Sequence, residues 1–114
     1  MSYDRLREDF GGVNVVTATP FTEDGEDVYR EKVAENARGL VDAGVELLIA
    51  CGGVSEYYSL STDERVDVVD ATVDAVGDEA SVVGGVGGST KNAIELADRY
   101  EAVGADAVMV MFPQ

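Results

Sequence analysis

The stretch that decides the fold is residues 45–64, which read VELLIACGGVSEYYSLSTDE. It begins as a continuous apolar run, passes a pair of glycines and ends in Ser-x-x-Glu at Ser61 and Glu64. Continuous apolar runs are typical of strands buried on both faces of a parallel sheet, and Ser-x-x-Glu is a capping box that begins a helix. The stretch therefore predicts a strand, a glycine loop and a helix, in that order.

The same unit recurs along the chain. The apolar runs start 25 to 36 residues apart, which is the spacing of βα units joined by right-handed crossovers. The predicted strands are Val13–Ala18, Val45–Cys51, Ser81–Val86 and Asp106–Met111. The pattern is βαβαβαβ, and the short segment Tyr3–Phe10 before it could form one more helix.

Each predicted helix has a capping residue at its start and a glycine near its end. The three helices run from Asp27 to Ala43 with Gly44 as the stop, from Ser61 to Val76–Gly77, and from Ser89 or Thr90 to Gly104. Strands and helices thus alternate along the whole chain, with no interdomain linker between them.

Two architectures contain this alternation: an open doubly wound sheet and a (β/α)₈ barrel. A complete barrel needs about 250 residues, whereas this chain has 114 and ends as its fourth strand closes. A small doubly wound sheet would be expected to have a fifth strand. The prediction is therefore an α/β fold made of the first four βα-type units of a TIM barrel, with residues 1–114 as the truncated N-terminal half of one barrel domain.

Composition excludes several partners. The net charge is −15, from 23 acidic and 8 basic residues, whereas nucleic acids and anionic membranes bind positive surfaces. No apolar run approaches the ~18–20 residues of a membrane span. We therefore expect no nucleic acid and no membrane as partner, and a cytoplasmic location. Dispersed acidic residues with few lysines suit a protein kept soluble in concentrated salt, as in halophilic proteins.

The absence of histidine excludes the nucleophilic catalytic groups that depend on it. Without histidine the chain cannot form a Ser-His-Asp or Cys-His nucleophile. The single cysteine, Cys51, allows no internal disulfide and leaves few zinc ligands; at a strand end it is expected to be a small buried hydrophobe. Carboxylates alone could hold Mg²⁺ or Ca²⁺, but no metal site and no cofactor is predicted.

Three strand-end loops remain as candidate binding sites: 17–25, 52–56 and 84–90. In loop 52–56 the glycines let a ligand approach the backbone, and consecutive N–H groups can form a nest for a carboxylate or phosphate. Loop 84–90 lacks the Gly-Lys-Ser/Thr of a nucleotide-binding P-loop and has Thr90 in place of the third fingerprint glycine. Each loop could also be a plain turn.

An ordered set of short motifs then resembles one family. The set comprises Thr19-Pro20-Phe21, Asp24-Gly25, the Gly-x-x-x-Glu loop at 52–56 followed by Ser59-Leu60, Gly85-Val-Gly, Ser89-Thr90 and Gly104-Ala-Asp106. It is similar to the dihydrodipicolinate synthase/N-acetylneuraminate lyase family. The resemblance implies a (β/α)₈ barrel, usually a homotetramer, that binds pyruvate or another 2-keto acid as a Schiff base. The lysine of that Schiff base lies on the sixth strand, and a tyrosine of the fifth assists it.

The resemblance also assigns roles to residues of this chain. It implies that Gly53, Val54 and Ser55, together with Thr19, bind the substrate carboxylate, chiefly through backbone N–H groups. The lysine and the tyrosine are expected beyond residue 114, so no catalytic residue is expected here. Lys32 and Lys91 lie on predicted helices and do not take the lysine's role. By itself the 114-residue chain is expected to be inactive.

The run Ala50–Leu60 is most similar to the 5-dehydro-4-deoxyglucarate dehydratases, with 2-keto-3-deoxy sugar acid aldolases as near relatives. The lysine-biosynthetic synthases carry two threonines where this chain has Gly53 and Val54, and valine has no hydroxyl to replace them. Ser55 could replace it in part. The alternatives are a synthase-like condensation of pyruvate with an aldehyde, a non-enzymatic half-barrel that self-associates or complements a separate C-terminal half, and a nucleotide-binding module.

Overall fold

The computed structural model describes residues 3–52 and 55–111, so Gly53 and Val54 of the predicted binding loop lie outside the described residues. Helices and strands alternate as the spacing predicts. The elements are α1 Asp4–Phe10, β1 Asn14–Val16, α2 Arg30–Asp42, β2 Leu47–Ala50, a 3₁₀ turn Tyr57–Ser59, α3 Thr62–Val76, β3 Ser81–Val86, α4 Thr90–Ala102 and β4 Ala107–Val110. Within the described ranges, no helix is long and apolar enough to cross a lipid bilayer.

The four strands form one parallel sheet in the order β1-β2-β3-β4. Val16 lies opposite Ile49, Ile49 opposite Val83, and Val83 opposite Ala107. Since neighbours in sequence are also neighbours in the sheet, each crossover helix returns the chain to the adjacent position. All four strands therefore end at the same edge, and the predicted βαβαβαβ order is confirmed.

The core lies between the sheet and the helices α2, α3 and α4. It divides into two clusters of buried side chains, one towards the carboxyl ends of the strands and one towards their amino ends. The first contains Ala50, Val68, Val69, Leu96 and Tyr100, and the second contains Ala37, Leu48, Val76 and Val82. Each large aliphatic side chain removed from water stabilises the fold by about 1.5–3 kcal/mol.

The prediction that every strand is buried on both faces is wrong for β1 and β4. The side chains of β3 are all buried and those of β2 nearly so, but exposure alternates along the outer two strands. Val16 is 36% exposed and Val110 is 72% exposed. The physical reason is position, since β1 and β4 have a neighbouring strand on one side only within the described chain. Both strands are also shorter than predicted.

The predicted caps of the two later helices are confirmed. The Ser61 hydroxyl accepts a hydrogen bond from the Glu64 amide at 3.2 Å, and the Glu64 carboxylate accepts one from the Ser61 amide at 2.9 Å. Ser89 caps α4 by accepting from the Asn92 amide at 3.1 Å. Gly44 ends α2 with φ +104°, the left-handed conformation that glycine adopts at little cost.

The prediction that Asp27 caps α2 is wrong, because the helix begins at Arg30 and no side chain caps it. Asp27 is held in a small hairpin instead. Its carbonyl accepts from the Thr22 amide at 2.8 Å, and its amide donates to the Thr22 hydroxyl at 3.3 Å. Asp24 and Gly25 lie at the tip of this hairpin, with Gly25 at φ +76°. The helix starts only after the hairpin ends.

Two adjacent glycines of β3 allow close packing on opposite faces of the sheet. A Cβ on Gly84 would run into the ring of Tyr100 on α4. A Cβ on Gly85 would run into the carbonyl oxygen of Cys51, the residue that follows β2. The backbone after β2 therefore crosses directly over β3, and this crossing places the next loop.

Two Gly→Ala substitutions test the crossing, and they should change the free energy of unfolding in opposite directions. Gly85→Ala forces backbone against backbone and should lower the free energy of unfolding by about 2–3 kcal/mol or more. Gly39→Ala is the matched control, because Gly39 lies in α2 with open space where the methyl group would be. It should raise the free energy of unfolding by about 0.5–1 kcal/mol. Urea unfolding of both variants measures the difference, and equal effects would contradict the crossing.

Candidate functional site

The candidate site lies at the edge of the sheet where the parallel strands end. Three segments meet there: 17–28 after β1, 51–60 after β2 and 87–89 after β3. In parallel α/β sheets, ligands bind outside the carboxyl ends of the strands. The three segments are joined to one another by hydrogen bonds, so the rim of the site is a connected unit.

Thr19 and Ser55, both predicted substrate-binding residues, contact each other directly. The Thr19 hydroxyl donates to the Ser55 carbonyl at 2.7 Å, and the Ser55 hydroxyl donates to the Thr17 carbonyl. Both side chains are buried. The Ser55 amide donates to the Gly52 carbonyl at 3.0 Å. These bonds tie the segment after β1 to the loop after β2.

The loop after β2 is bounded by two strained residues. Cys51 and Glu56 have φ values of 60° and 61°, a left-handed conformation that costs a residue with a Cβ about 1–2 kcal/mol. They stand on either side of residues 52–55, where the sequence predicts the anion nest. Backbone strain of this kind persists only when surrounding contacts determine it, and it is concentrated at ligand sites.

Tyr57 joins the loop after β2 to the loop after β3. Its ring is buried, and its hydroxyl accepts from the Gly87 amide at 2.9 Å and donates to the Gly87 carbonyl at 3.2 Å. Asn92 of α4 donates its side-chain amide to the same carbonyl at 2.9 Å and to the Tyr57 hydroxyl at 3.4 Å. Tyr57 is thus packed in the core, whereas Tyr58 is 48% exposed.

Arg65 of α3 holds Tyr57 from the other side. Its guanidinium lies 3.8 Å from the centroid of the Tyr57 ring, and its Nε donates to the Tyr57 carbonyl at 3.0 Å. A guanidinium over an aromatic ring is attracted by the negative face of the ring. Arg65 therefore brings a positive charge close to the loop in a chain whose net charge is strongly negative.

The floor beneath the loop is apolar. A Cβ built on Gly52 would lie against side-chain carbons of Val16, Ile49 and Met109, one from each of three strands. These side chains share the face of the sheet turned away from Tyr100. A ligand held by the loop would therefore have polar groups at one end and aliphatic side chains below, the usual composition of a small-molecule site.

Cys51 lies beneath this loop as a buried thiol, as its position at a strand end predicted. Burial raises the pKa of Cys51 to about 12, against weaker lowering effects from Tyr100 and Arg65. The Sγ atom lies 3.5 Å from the Arg65 carbonyl. The thiol is therefore protonated at neutral pH and unsuited to act as a nucleophile.

The predicted site residues divide into two groups. The structure brings Thr19 and Ser55 together with their hydroxyls bonded to backbone carbonyls, while Gly53 and Val54 lie outside the described residues. Their contact with a substrate carboxylate stays a prediction. Sequence reasoning did not find the contacts of Tyr57 with Arg65 and Asn92. The only signal for them is that a buried tyrosine hydroxyl requires a polar partner.

The described part of the chain contains no cluster of three or more His, Cys, Asp or Glu residues that could hold a metal ion. The two lysines lie on helices, as predicted. Lys32 is on α2 and pairs with Glu35 at 3.4 Å, and Lys91 is exposed in the first turn of α4.

Comparison with known proteins assigns this arrangement to a family. Residues 9–114 match the Dihydrodipicolinate synthetase family. The chain belongs to this family. It is 39% identical over 105 residues to the 4-hydroxy-tetrahydrodipicolinate synthase of Haloarcula marismortui, covering 92% of this chain and 34% of that protein. It is 43% identical over 105 residues to 4-hydroxy-tetrahydrodipicolinate synthase 2 of Streptomyces coelicolor, covering 91% and 35%.

A solved structure of the family has the same fold as this chain over the matched part. The dihydrodipicolinate synthase of Bacillus clausii superposes with a TM-score of 0.88 at 36% identity, over 96% of this chain and 37% of that one. The four parallel strands and their helices thus match the N-terminal part of a TIM-barrel synthase. The chain spans about a third of the length of the curated relatives it matches. Members of the family are lyases of the aldolase type.

Burial of the Cys51 thiol predicts a pH dependence of stability. The pKa of the folded thiol lies above its ordinary value of 9.0. Its contribution to stability is therefore complete below about pH 8.5 and is lost as the pH rises towards 12. The free energy of unfolding should fall by up to about 1.4 kcal/mol per pH unit above pH 9. Urea unfolding at pH 8, 9 and 10 measures the slope.

Cys51→Ala is the matched variant for this measurement. Burial also raises the pKa of Tyr100, but from a higher ordinary value of 10.0, so the slope between pH 9 and 10 belongs mainly to the thiol. Cys51→Ala should remove most of that slope. An unchanged slope in the variant, or rapid reaction of the folded wild-type thiol with a disulfide reagent at pH 8, would contradict the buried, protonated state.

Proposed function

We propose that this chain is the N-terminal part of a Schiff-base-forming lyase that acts on pyruvate or a 2-keto-3-deoxy sugar acid. In this proposal the loop 52–56 holds the substrate carboxylate with backbone N–H groups. The Schiff-base lysine and its assisting tyrosine come from the part of the barrel beyond residue 114. The observation that carries the proposal is the bonded rim at the carboxyl edge of the sheet, where Thr19 and Ser55 fix the loop.

The role of this rim is to place the reacting carbon. A carboxylate held against fixed N–H donors cannot rotate freely, and orientation of this kind supplies much of the rate enhancement of enzymes. The apolar floor of Val16, Ile49 and Met109 would keep water from the keto group. A lysine amine that reaches this floor would be desolvated, and its lowered pKa would make it a better nucleophile.

The branch of the family is proposed from Val54 and Ser55. Val54 has no hydroxyl. The Ser55 hydroxyl donates its hydrogen bond to the Thr17 carbonyl, so this hydrogen is not available to a substrate carboxylate. We take this pair to favour a dehydratase or aldolase of sugar-derived keto acids, in which backbone N–H groups would contact the carboxylate. The synthase-like condensation of pyruvate with an aldehyde is the alternative, and the named relatives in Haloarcula and Streptomyces favour it.

A non-enzymatic half-barrel is the second candidate. A groove of about 420 Å³ between α4 and β4 is lined by apolar side chains that include Ala93, Ile94, Val108 and Val110. Such a groove would receive a separate C-terminal half or a second copy of the chain. For the whole protein we further propose a homo-oligomer in the cytoplasm that uses no cofactor.

A chimaera tests the proposed enzyme. Residues 9–114 replace the matching N-terminal segment of the Haloarcula marismortui synthase, which retains its own C-terminal two thirds. Incubation with pyruvate and borohydride should attach one pyruvate to each chimaeric chain, detected by mass spectrometry. The 114-residue chain alone should gain none, because the lysine proposed to form the Schiff base lies beyond residue 114.

The same chimaera separates the alternatives. Gly53→Thr with Val54→Thr restores the hydroxyls of the synthases, and a gain in condensation activity of about tenfold or more would favour the synthase-like branch. Mixing the 114-residue chain with the separate C-terminal segment tests complementation. A folded chimaera that never forms the pyruvate adduct, beside a parent synthase that does, would overturn the proposed function.

A further inference from the structure

A groove runs along β4 on the side of the sheet that the helices cover, between this strand and α4. The part towards the carboxyl end of β4 is the apolar depression of about 420 Å³. The part towards the amino end has a volume of about 250 Å³ and is lined by acidic side chains and by Tyr3. Ala97 and Val108 line both parts, so the two are continuous and form one α4–β4 groove.

The apolar part of this groove exposes side chains that folded proteins usually bury. Ile94 is 58% exposed, and Val108 and Val110 of β4 are 40% and 72% exposed. In the described chain, β4 has a neighbouring strand on one side only. All-parallel sheets normally have their faces covered by helices, and an apolar groove is the surface into which an amphipathic helix lays its apolar side. The groove therefore has the shape and composition to bind a helix.

The acidic part of the groove contains carboxylates that lack a basic partner. They belong to Asp98 and Glu101 of α4 and to Asp106, which precedes β4. Among the described residues, no lysine or arginine forms an ion pair with any of the three. Arg99 lies next to them in sequence but pairs with Asp63 of α3 at 3.1 Å. The negative charge at this end of the groove is thus uncompensated.

The position of these carboxylates makes their charge unfavourable. Glu101 lies in the last turn of α4, which ends at Ala102. The C-terminus of a helix carries a partial negative charge, so it repels a carboxylate and attracts a cation. Asp106 is held in place, because its Oδ2 accepts a hydrogen bond from the Val82 amide at 2.8 Å. A lysine or arginine brought to this end of the groove would be attracted by the carboxylates and by the end of α4 together.

We propose that the α4–β4 groove binds an amphipathic helix, which packs apolar side chains on Ile94, Val108 and Val110 and places a lysine or arginine beside Glu101. The identity of this helix rests on the proposed function, in which it belongs to the part of the barrel beyond residue 114. A crossover helix that follows β4 runs from the carboxyl end of the strand towards its amino end. Its basic residue therefore lies in its last turn, which also suits the dipole of that helix.

Two synthetic peptides test the preference for a basic residue. Both have about 18 residues, enough for a helix, and both carry the same leucine stripe at helical spacing. They differ only in the last turn, which has two lysines in one peptide and two glutamates in the other. Each is titrated into the 114-residue chain, and the amide chemical shifts of Ile94, Ala97 and Val108 report binding. The lysine peptide should bind about tenfold more tightly than the glutamate peptide.

Charge reversal at Glu101 separates local pairing from attraction to the whole chain, whose net charge is −15. Glu101→Lys should abolish or reverse the preference for the lysine peptide. Glu95→Lys is the matched control, because Glu95 is exposed on the same helix and is not among the residues that line the groove. It changes the net charge equally and should keep most of the preference. Ile94→Asp alters an exposed position and should weaken the binding of both peptides.

Three results would overturn the proposal. The first is equal affinity of wild type for the two peptides. The second is a loss of the preference in Glu95→Lys as large as the loss in Glu101→Lys, because the attraction would then be unspecific. The third is a wild-type dimer, seen by sedimentation without peptide, that Ile94→Asp dissociates, because the groove would then bind a second copy of the chain.

The peptide titrations involve no pyruvate, so they distinguish this inference from the proposed function. If the lysine peptide is preferred through Glu101 while the chimaera forms no pyruvate adduct, the helix-binding groove stands and the proposed function fails. If the chimaera forms the adduct while the two peptides bind equally, the proposed function stands and the inference about the groove fails.

Discussion

The contact on which the structure depends is the close approach of the Cys51 carbonyl to Gly85. Cys51 leaves β2 in a left-handed conformation, and its backbone crosses the adjacent strand where β3 has no side chain. Left-handed backbone costs about 1–2 kcal/mol, and burial of Cys51 and its neighbours in the core offsets this cost. The turn places Gly52 against the side chains of Val16, Ile49 and Met109, at the carboxyl edge of the sheet.

The remaining rim contacts follow from this turn. Because the loop crosses towards β3, Tyr57 comes within reach of Gly87, and Arg65 at the start of α3 can stack on the ring. Ser55, two residues before Tyr57, faces the segment that follows β1. One crossing thus brings the ends of three strands together. In TIM-barrel enzymes the active site lies at this edge of the sheet, and the proposed function rests on the rim that these contacts form.

Local signals in the sequence were sufficient for the element order. The capping box at Ser61 and Glu64, the glycine stop at Gly44 and the apolar strands act over a few residues, so they could be predicted without tertiary information. Asp27 was misassigned because it has two possible local partners, a following helix and the Thr22 hairpin, and the hairpin forms. The exposure of Val110 could not be predicted, because burial depends on which strands become neighbours.

The candidate site was predictable only in outline. Glycines after a strand indicate a loop that a ligand can approach, and this pattern located residues 52–56. The bonds of Tyr57 to Gly87 and Asn92 span 30 and 35 residues of sequence, and no periodicity or capping rule encodes such a pair. The family resemblance located the loop in a known barrel, and the branch remains a proposal because the relatives establish the family and not the branch.

The central claim, that the chain crosses β3 at Gly85 immediately after β2, can be measured directly by NMR. In a proton NOE spectrum of the 114-residue chain, this crossing should give a strong cross-peak between the Gly85 α protons and the Gly52 amide proton. The φ of 60° at Cys51 should appear in its backbone couplings. Cross-peaks between β2 and β3, such as Ile49 with Val83, serve as the internal control. Their presence without the Gly85–Gly52 cross-peak would contradict the account, because the sheet would then form without the turn that builds the site.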